Sequence, residues 1–193
     1  SSLCYFTVLS PHGIVLTAYL RLRGLSAPLL AAFRTTGALS GTLGIYAYHR
    51  LSPTVGARKA ALLLITLLAG SVAAAAASFY IGGGIAGRPI RTPLAMGIFL
   101  VLVVASRLGL YGFEMAVLEL QQRHVDELHR GAIGSIESVF CSLGTLASYV
   151  CSSVVSLHTF GALIYLSATF VGSAAAMFGA WNFLWHEHVH THS

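Results

Sequence analysis

The feature that most constrains this chain is a succession of apolar runs, each of about 20 residues and so able to cross a hydrocarbon core about 30 Å thick. Short polar stretches separate them. Hydrophobic residues make up 56% of the sequence and charged residues 9%, against roughly 25% charged in a soluble domain, and the mean hydropathy is +0.78. Few folds tolerate such a composition. In lipid every backbone N–H and C=O must be satisfied internally, so helices are the expected spanning elements. The fold class read from the sequence is an all-α, polytopic, multi-pass integral membrane protein with six transmembrane helices.

The expected spans cover residues 3–20, 27–48, 60–81, 93–120 and 131–157, with a sixth running from residue 159 to about 185. Residues 1–185 form the transmembrane unit and 186–193 a His-rich tail. Ser10-Pro11-His12-Gly13 interrupts the first span, because Pro and Gly there loosen the backbone ladder. Gly37, Ser40, Gly41 and Gly44 lie in the second, a pattern of small residues that lets a neighbouring helix approach closely. Ala73 to Ala77 in the third reads as lipid-facing or tightly packed scaffold. His49 to Lys59 and Gln121 to Arg130 read as polar loops. The chain opens without Met directly into an apolar run, so an upstream portion is expected, and no cleavable signal pattern is present.

Three charges fall deep in these spans: Arg34, Arg107 and Glu114. A charge at the bilayer centre costs roughly 2.5–3.5 kcal/mol even on lenient scales, so it usually lines a polar path or holds a bundle together. Arg107 and Glu114 are two turns apart on one face, too far to pair well, so each should find a partner on another helix. They read as a structural latch or as a gate that breaks and reforms. Arg34 reads the same way, with Glu114 or Glu137 as its candidate acid.

His12 stands beside the expected helix break. It could be a hydrogen-bonding helix contact or a metal ligand, since neutral imidazole suits Fe, Co, Ni and Zn and broken helices expose carbonyls to cations. Cys4 is the nearest soft side chain; Cys141 and Cys151 otherwise read as small buried hydrophobes. His186, His188, His190 and His192 read as a weak metal chelator or as an incidental polar tail.

The net charge of +5 is spread over several loops, which excludes a nucleic-acid patch and points to lipid headgroups. Basic residues divide too evenly between the two sides to fix the orientation. No nucleophile elbow, phosphate loop or zinc-protease pair occurs, so no enzymatic activity and no bound cofactor are expected.

Ser106-Arg107-Leu108-Gly109-Leu110-Tyr111-Gly112-Phe113-Glu114-Met115-Ala116-Val117, with Leu120-Gln121-Gln122 and Val125, resembles the tenth helix of the ferroportins, the cellular iron exporters. Glu127, Arg130-Gly131, Ile133 and Ser138 keep that family's following pattern. Thr7-Val8-Leu9, Tyr19 and Gly24-Leu25-Ser26 resemble the end of its seventh helix, and Phe160-Gly161 and Ser167 its last. The resemblance spans the chain and falls on the second half of a twelve-helix major-facilitator architecture. It implies an N-terminal six-helix lobe as partner, Fe²⁺ as cargo with Co²⁺ or Ni²⁺ as further candidates, and alternating access between two lobes. It also implies that both polar loops and the tail face the cytosol. Where animal members carry an Asp-Cys pair at the broken helix, this chain reads His12-Gly13, and their eleventh-helix His falls at about Ser148. These departures imply a plant, algal or protist type of relative. Two rival readings are a non-transporting membrane scaffold and a major-facilitator carrier of an organic cation.

Overall fold

The computed structural model describes residues 4, 9–10, 13–22, 24–82, 93–154 and 160–191. Its helices are α1 (Ile14–Leu22), α2 (Ala27–Val55), α3 (Ala57–Ile81), α4 (Pro93–His124), α5 (Glu127–Val154) and α6 (Phe160–Thr191). No strand occurs among the described residues. Three stretches, Ala57–Ile81, Leu94–His124 and Phe160–Phe183, are long and apolar enough to cross a membrane. The 29 residues of α2 and the 28 of α5 match them in length, but a heavier load of Ser, Thr, Gly and charge keeps them less apolar.

The core follows from where small residues fall. α4 lies against both α2 and α3, and α6 packs on α3. On α2 the buried positions Leu30, Phe33, Gly37, Ser40, Gly41, Gly44 and Tyr48 recur every three or four residues, one stripe of a helix. A Cβ on Gly44 would collide with the Leu108 carbonyl, and one on Gly41 would lie 2.7 Å from the Tyr111 ring. α4 answers with notches of its own. A Cβ on Gly109 would meet Leu68 N at 2.7 Å, and one on Gly112 would meet Gly44 O at 2.8 Å. Backbone therefore touches backbone on both sides of α4, the arrangement that drives helix association where lipid leaves no hydrophobic gain between helices. Ser40 Oγ adds a hydrogen bond to Val104 O at 2.8 Å.

The Ala-rich half of α3 divides between the two expected roles: Ala75 and Ala76 are buried while Ala73, Ala74 and Ala77 are exposed. At the α1 end of the bundle, aromatic rings replace glycines. Tyr19 stacks on Phe160 with centroids 4.2 Å apart, and Phe79 meets both Phe99 and Phe160 at 5.8 Å, joining α1, α3, α4 and α6.

Both expected polar loops shrink. α2 continues through His49 and Pro53 to Val55, and the stretch from His49 to Lys59 leaves helix only at Gly56, whose φ is +85°. α4 likewise continues to His124, so the Gln121–Arg130 loop reduces to Val125 and Asp126. Arg130 holds that corner: its Nε donates to Val125 O at 2.8 Å and its guanidinium to Gln122 O at 2.7 Å, satisfying carbonyls that a helix C-terminus leaves open. Polar composition here marks helices rising out of the apolar layer, not loops. In the expected tail, the backbone of His186, His188 and His190 continues α6; their side chains, and all of His192, lie outside the described residues.

Candidate functional site

The expected break in the first span is visible at its described edges. Leu9, Ser10 and Gly13 are not helical, a turn closes from Gly13 N to Ser10 O at 2.9 Å, and α1 starts at Ile14. Thr17 Oγ1 donates to Gly13 O at 2.8 Å. Pro11 and the expected metal contact His12 lie outside the described residues.

Arg107 reaches this break. It is 7% exposed, and its guanidinium donates to Leu9 O at 2.5 Å. A carbonyl released from helical pairing needs a donor in an apolar interior, and a charged donor forms a strong bond there. α4 thus clamps the non-helical segment that precedes α1.

Glu114 belongs to a different place. It is half-buried and lines a cleft of about 770 Å³ between α4 and α5 with Gln121, Glu137, Ser138, Cys141 and Thr145 among its walls. Gln121 Nε2 donates to Glu137 Oε2 at 2.5 Å across this cleft. Cys4 is buried within electrostatic reach of Glu114 and Cys141. Among the described residues, no three His, Cys, Asp or Glu side chains gather closely enough to hold a metal ion.

The expected meeting of Arg34 with Glu114 or Glu137 does not occur. Arg34 is exposed on α2. Ser40 on α2 lies level with Val104 on α4, and Gly44 with Leu108, so the two helices run in the same direction. Arg34 is six residues before Ser40 and Glu114 ten after Val104. At 1.5 Å rise per residue they stand roughly 20 Å apart along the bundle. Glu137, level with Gln121, is further still.

A second polar cluster escaped sequence reasoning. Tyr48 Oη donates to Glu119, which also pairs with Arg123 one turn on. Nothing in the sequence flagged Tyr48, because its partner is 71 residues away.

An all-α polytopic bundle with glycine-notched packing, and an arginine clamped beside the start of α1, has the fold of one lobe of a major-facilitator-type membrane protein. A family model described as Ferroportin1 (FPN1) matches residues 1–171, and the chain belongs to the ferroportin family. It is 35% identical over 176 residues to solute carrier family 40 member 1 of Oryza sativa subsp. japonica, covering 90% of this chain and 35% of the rice protein. That agrees with the plant-like character expected from the sequence. It resembles a bacterial homologue of the iron transporter ferroportin crystallised in two states. The outward-facing structure gives a TM-score of 0.85 at 27% identity, over 94% of this chain and 43% of that one. The inward-facing structure gives 0.84 at 27%, over 93% and 43%. The chain thus spans less than half the length of these relatives.

Proposed function

We propose that this chain supplies one six-helix lobe of an iron exporter that moves Fe²⁺ across a membrane by alternating access, with a second six-helix lobe as its partner. Co²⁺ and Ni²⁺ are further candidate cargoes. The observation that carries this reading is the near-equal likeness to both transport states, with TM-scores of 0.85 and 0.84. A lobe that fits both states equally behaves as a rigid body, and rocking of one rigid half against another is how alternating access is largely achieved.

Within this lobe Arg107 acts as the latch on the broken span. Its bond to Leu9 O holds a carbonyl that a cation could otherwise attract. Glu114 offers negative charge in the α4–α5 cleft, and a divalent ion entering it would be favoured by Coulomb attraction in a low-dielectric surround. His12 is the proposed metal contact of the break, and Arg34 a second latch residue on the exposed face of α2. The described residues do not gather a complete ligand set, so the coordination sphere draws on the break itself and on the opposite lobe. Iron enters as cargo, not as a resident cofactor.

The test is efflux of radiolabelled iron, cobalt and nickel from cells expressing the complete gene product, beside its His12→Ala and Arg107→Ala variants. The wild type should export iron, and both variants should export less. Retention of all three metals at the level of cells lacking the protein would falsify the assignment.

A further inference from the structure

A second cavity lies at the opposite end of the bundle from the aromatic cluster. It encloses about 310 Å³ where α2 hands over to α3, and Gly56, Arg58, Lys59, Arg123, His124 and Asn182 line it. That volume sits at the lower end of ordinary ligand pockets, about 300–1,000 Å³. Three permanent cations and an imidazole face one small space, and Glu119, the acid that pairs with Arg123, is shared with Tyr48. The balance is positive.

Arg58 and His124 are held in place. Arg58 lies over the Trp181 ring at 5.5 Å and approaches His124 Nε2 at 3.4 Å, while His124 Nδ1 is 2.9 Å from Leu120 O. The backbone adds to the same field. Gly56 offers no side chain to cap α3, so the first-turn N–H groups point toward the pocket end with the positive pole of the helix dipole.

Depth identifies the occupant. Ala57 opens one helix long and apolar enough to cross a membrane and His124 closes another, and Arg58, Lys59 and Arg123 gather at those two ends. Basic side chains at the ends of such helices reach toward the headgroups, which puts the pocket beside lipid phosphates. Trp181, 41% exposed beside it, is a residue type enriched at that interface. Basic pockets between membrane helices on the cytoplasmic side suit anionic headgroups.

We infer that this pocket binds the phosphate of an anionic lipid headgroup, clamping the α2–α3 hinge to the ends of α4 and α6. The shared chemistry is a phosphate ester, and the membrane is its source. Unlike the iron assignment, this inference needs no transport activity and is tested by a different readout.

The experiment uses the complete transporter in nanodiscs of phosphatidylcholine with a minor share of phosphatidylglycerol, and native mass spectrometry to count retained anionic lipid. The wild type should retain phosphatidylglycerol in preference to phosphatidylcholine. Removing one cation, as in Arg58→Gln or Arg123→Gln, should weaken retention about fivefold, the factor corresponding to ~1 kcal/mol per basic residue near a membrane surface. Arg58→Gln could disturb packing on Trp181, so Lys59→Glu at an exposed position serves as the second variant, with thermal melting as the folding check. Arg50→Gln, on the same side but outside the pocket, should retain lipid as the wild type does. Unchanged retention in a normally melting Lys59→Glu protein overturns the inference, as does equal loss in Arg50→Gln, which would mean diffuse attraction. Displacement of the lipid by dilute glycerol phosphate or inorganic phosphate would assign the pocket to a soluble phosphate compound and overturn the membrane source.

Discussion

The guanidinium of Arg107 and the carbonyl oxygen of Leu9 are 2.5 Å apart although 98 residues separate them in sequence. This bond joins the centre of α4 to the non-helical segment before α1, and Arg107 is buried when it makes it. Hydrogen bonds to charged groups contribute about 1.5–3 kcal/mol. Arg107→Ala should lower the melting temperature of the complete transporter, and Arg107→Lys should lower it less because the charge remains. A latch and a gate separate by accessibility. For a gate, Arg107→Ala also changes the labelling rate of a cysteine introduced at Ser10; for a latch alone, melting shifts while that rate per folded molecule stays the same.

The glycines of the bundle divide into those that a neighbour touches and those that face open space. A Cβ on Gly109 would lie 2.7 Å from Leu68 N, whereas nothing comes within 4 Å of one on Gly70. Overpacking a close contact costs about 1–3 kcal/mol, and here the obstacle is backbone that cannot rotate away. Gly109→Ala and Gly44→Ala should each destabilise the protein by that order. Gly70→Ala should be neutral or stabilising by about 0.5–1 kcal/mol, the difference between Gly and Ala inside a helix. Thermal unfolding in detergent of the three variants side by side checks the contrast.

Gly56 poses the opposite case. A Cβ there would meet nothing within 4 Å, yet φ is +85° and ψ 151°. That region is essentially confined to glycine and costs other residues about 1–3 kcal/mol. Gly56→Ala should therefore destabilise the α2–α3 hinge although space is ample. Faster hydrogen exchange at the start of α3 in the variant is the expected reading, and unchanged exchange would show that the hinge relaxes elsewhere.

How much of this was legible in the sequence depends on what each feature needs. The helices and the close approach at Gly41 and Gly44 were readable because hydropathy and small-residue spacing are local properties. The stretch from His49 to Lys59 misled because charge, Pro53 and Gly56 together resemble a loop. Helices that rise past the apolar layer become polar without ending, and a proline in the last turn removes only a bond already near the terminus. Arg34 misled for another reason. Its depth relative to Glu114 depends on the register between α2 and α4, which Ser40 and Val104 set and no single helix encodes. The ferroportin motif from Ser106 to Val117 identified the family, but not that Arg107 reaches a carbonyl while Glu114 faces the α5 cleft.

Tyr48, Glu119 and Arg123 form the tie that a one-helix reading could not supply, and it makes the last prediction. Tyr48 is 1% exposed and donates to Glu119, which is also paired with Arg123 within α4. Arg123 is 65% exposed at its side chain, so its ion pair contributes little, about 0–1 kcal/mol. The Tyr48 bond is the better sheltered and should matter more. Tyr48→Phe removes only a hydroxyl and should cost about 1.5–3 kcal/mol, since its acceptor is charged. Arg123→Gln should cost a few tenths, about the value of an exposed pair one helical turn apart. Glu119→Gln leaves an amide oxygen for Tyr48 and should fall between them. In a double-mutant cycle Tyr48 and Glu119 should show a coupling larger than that of Arg123 and Glu119, and raising the salt concentration should erase the second coupling while sparing the first. If the two couplings come out equal and equally salt-sensitive, the hydroxyl does not reach Glu119 in the folded transporter.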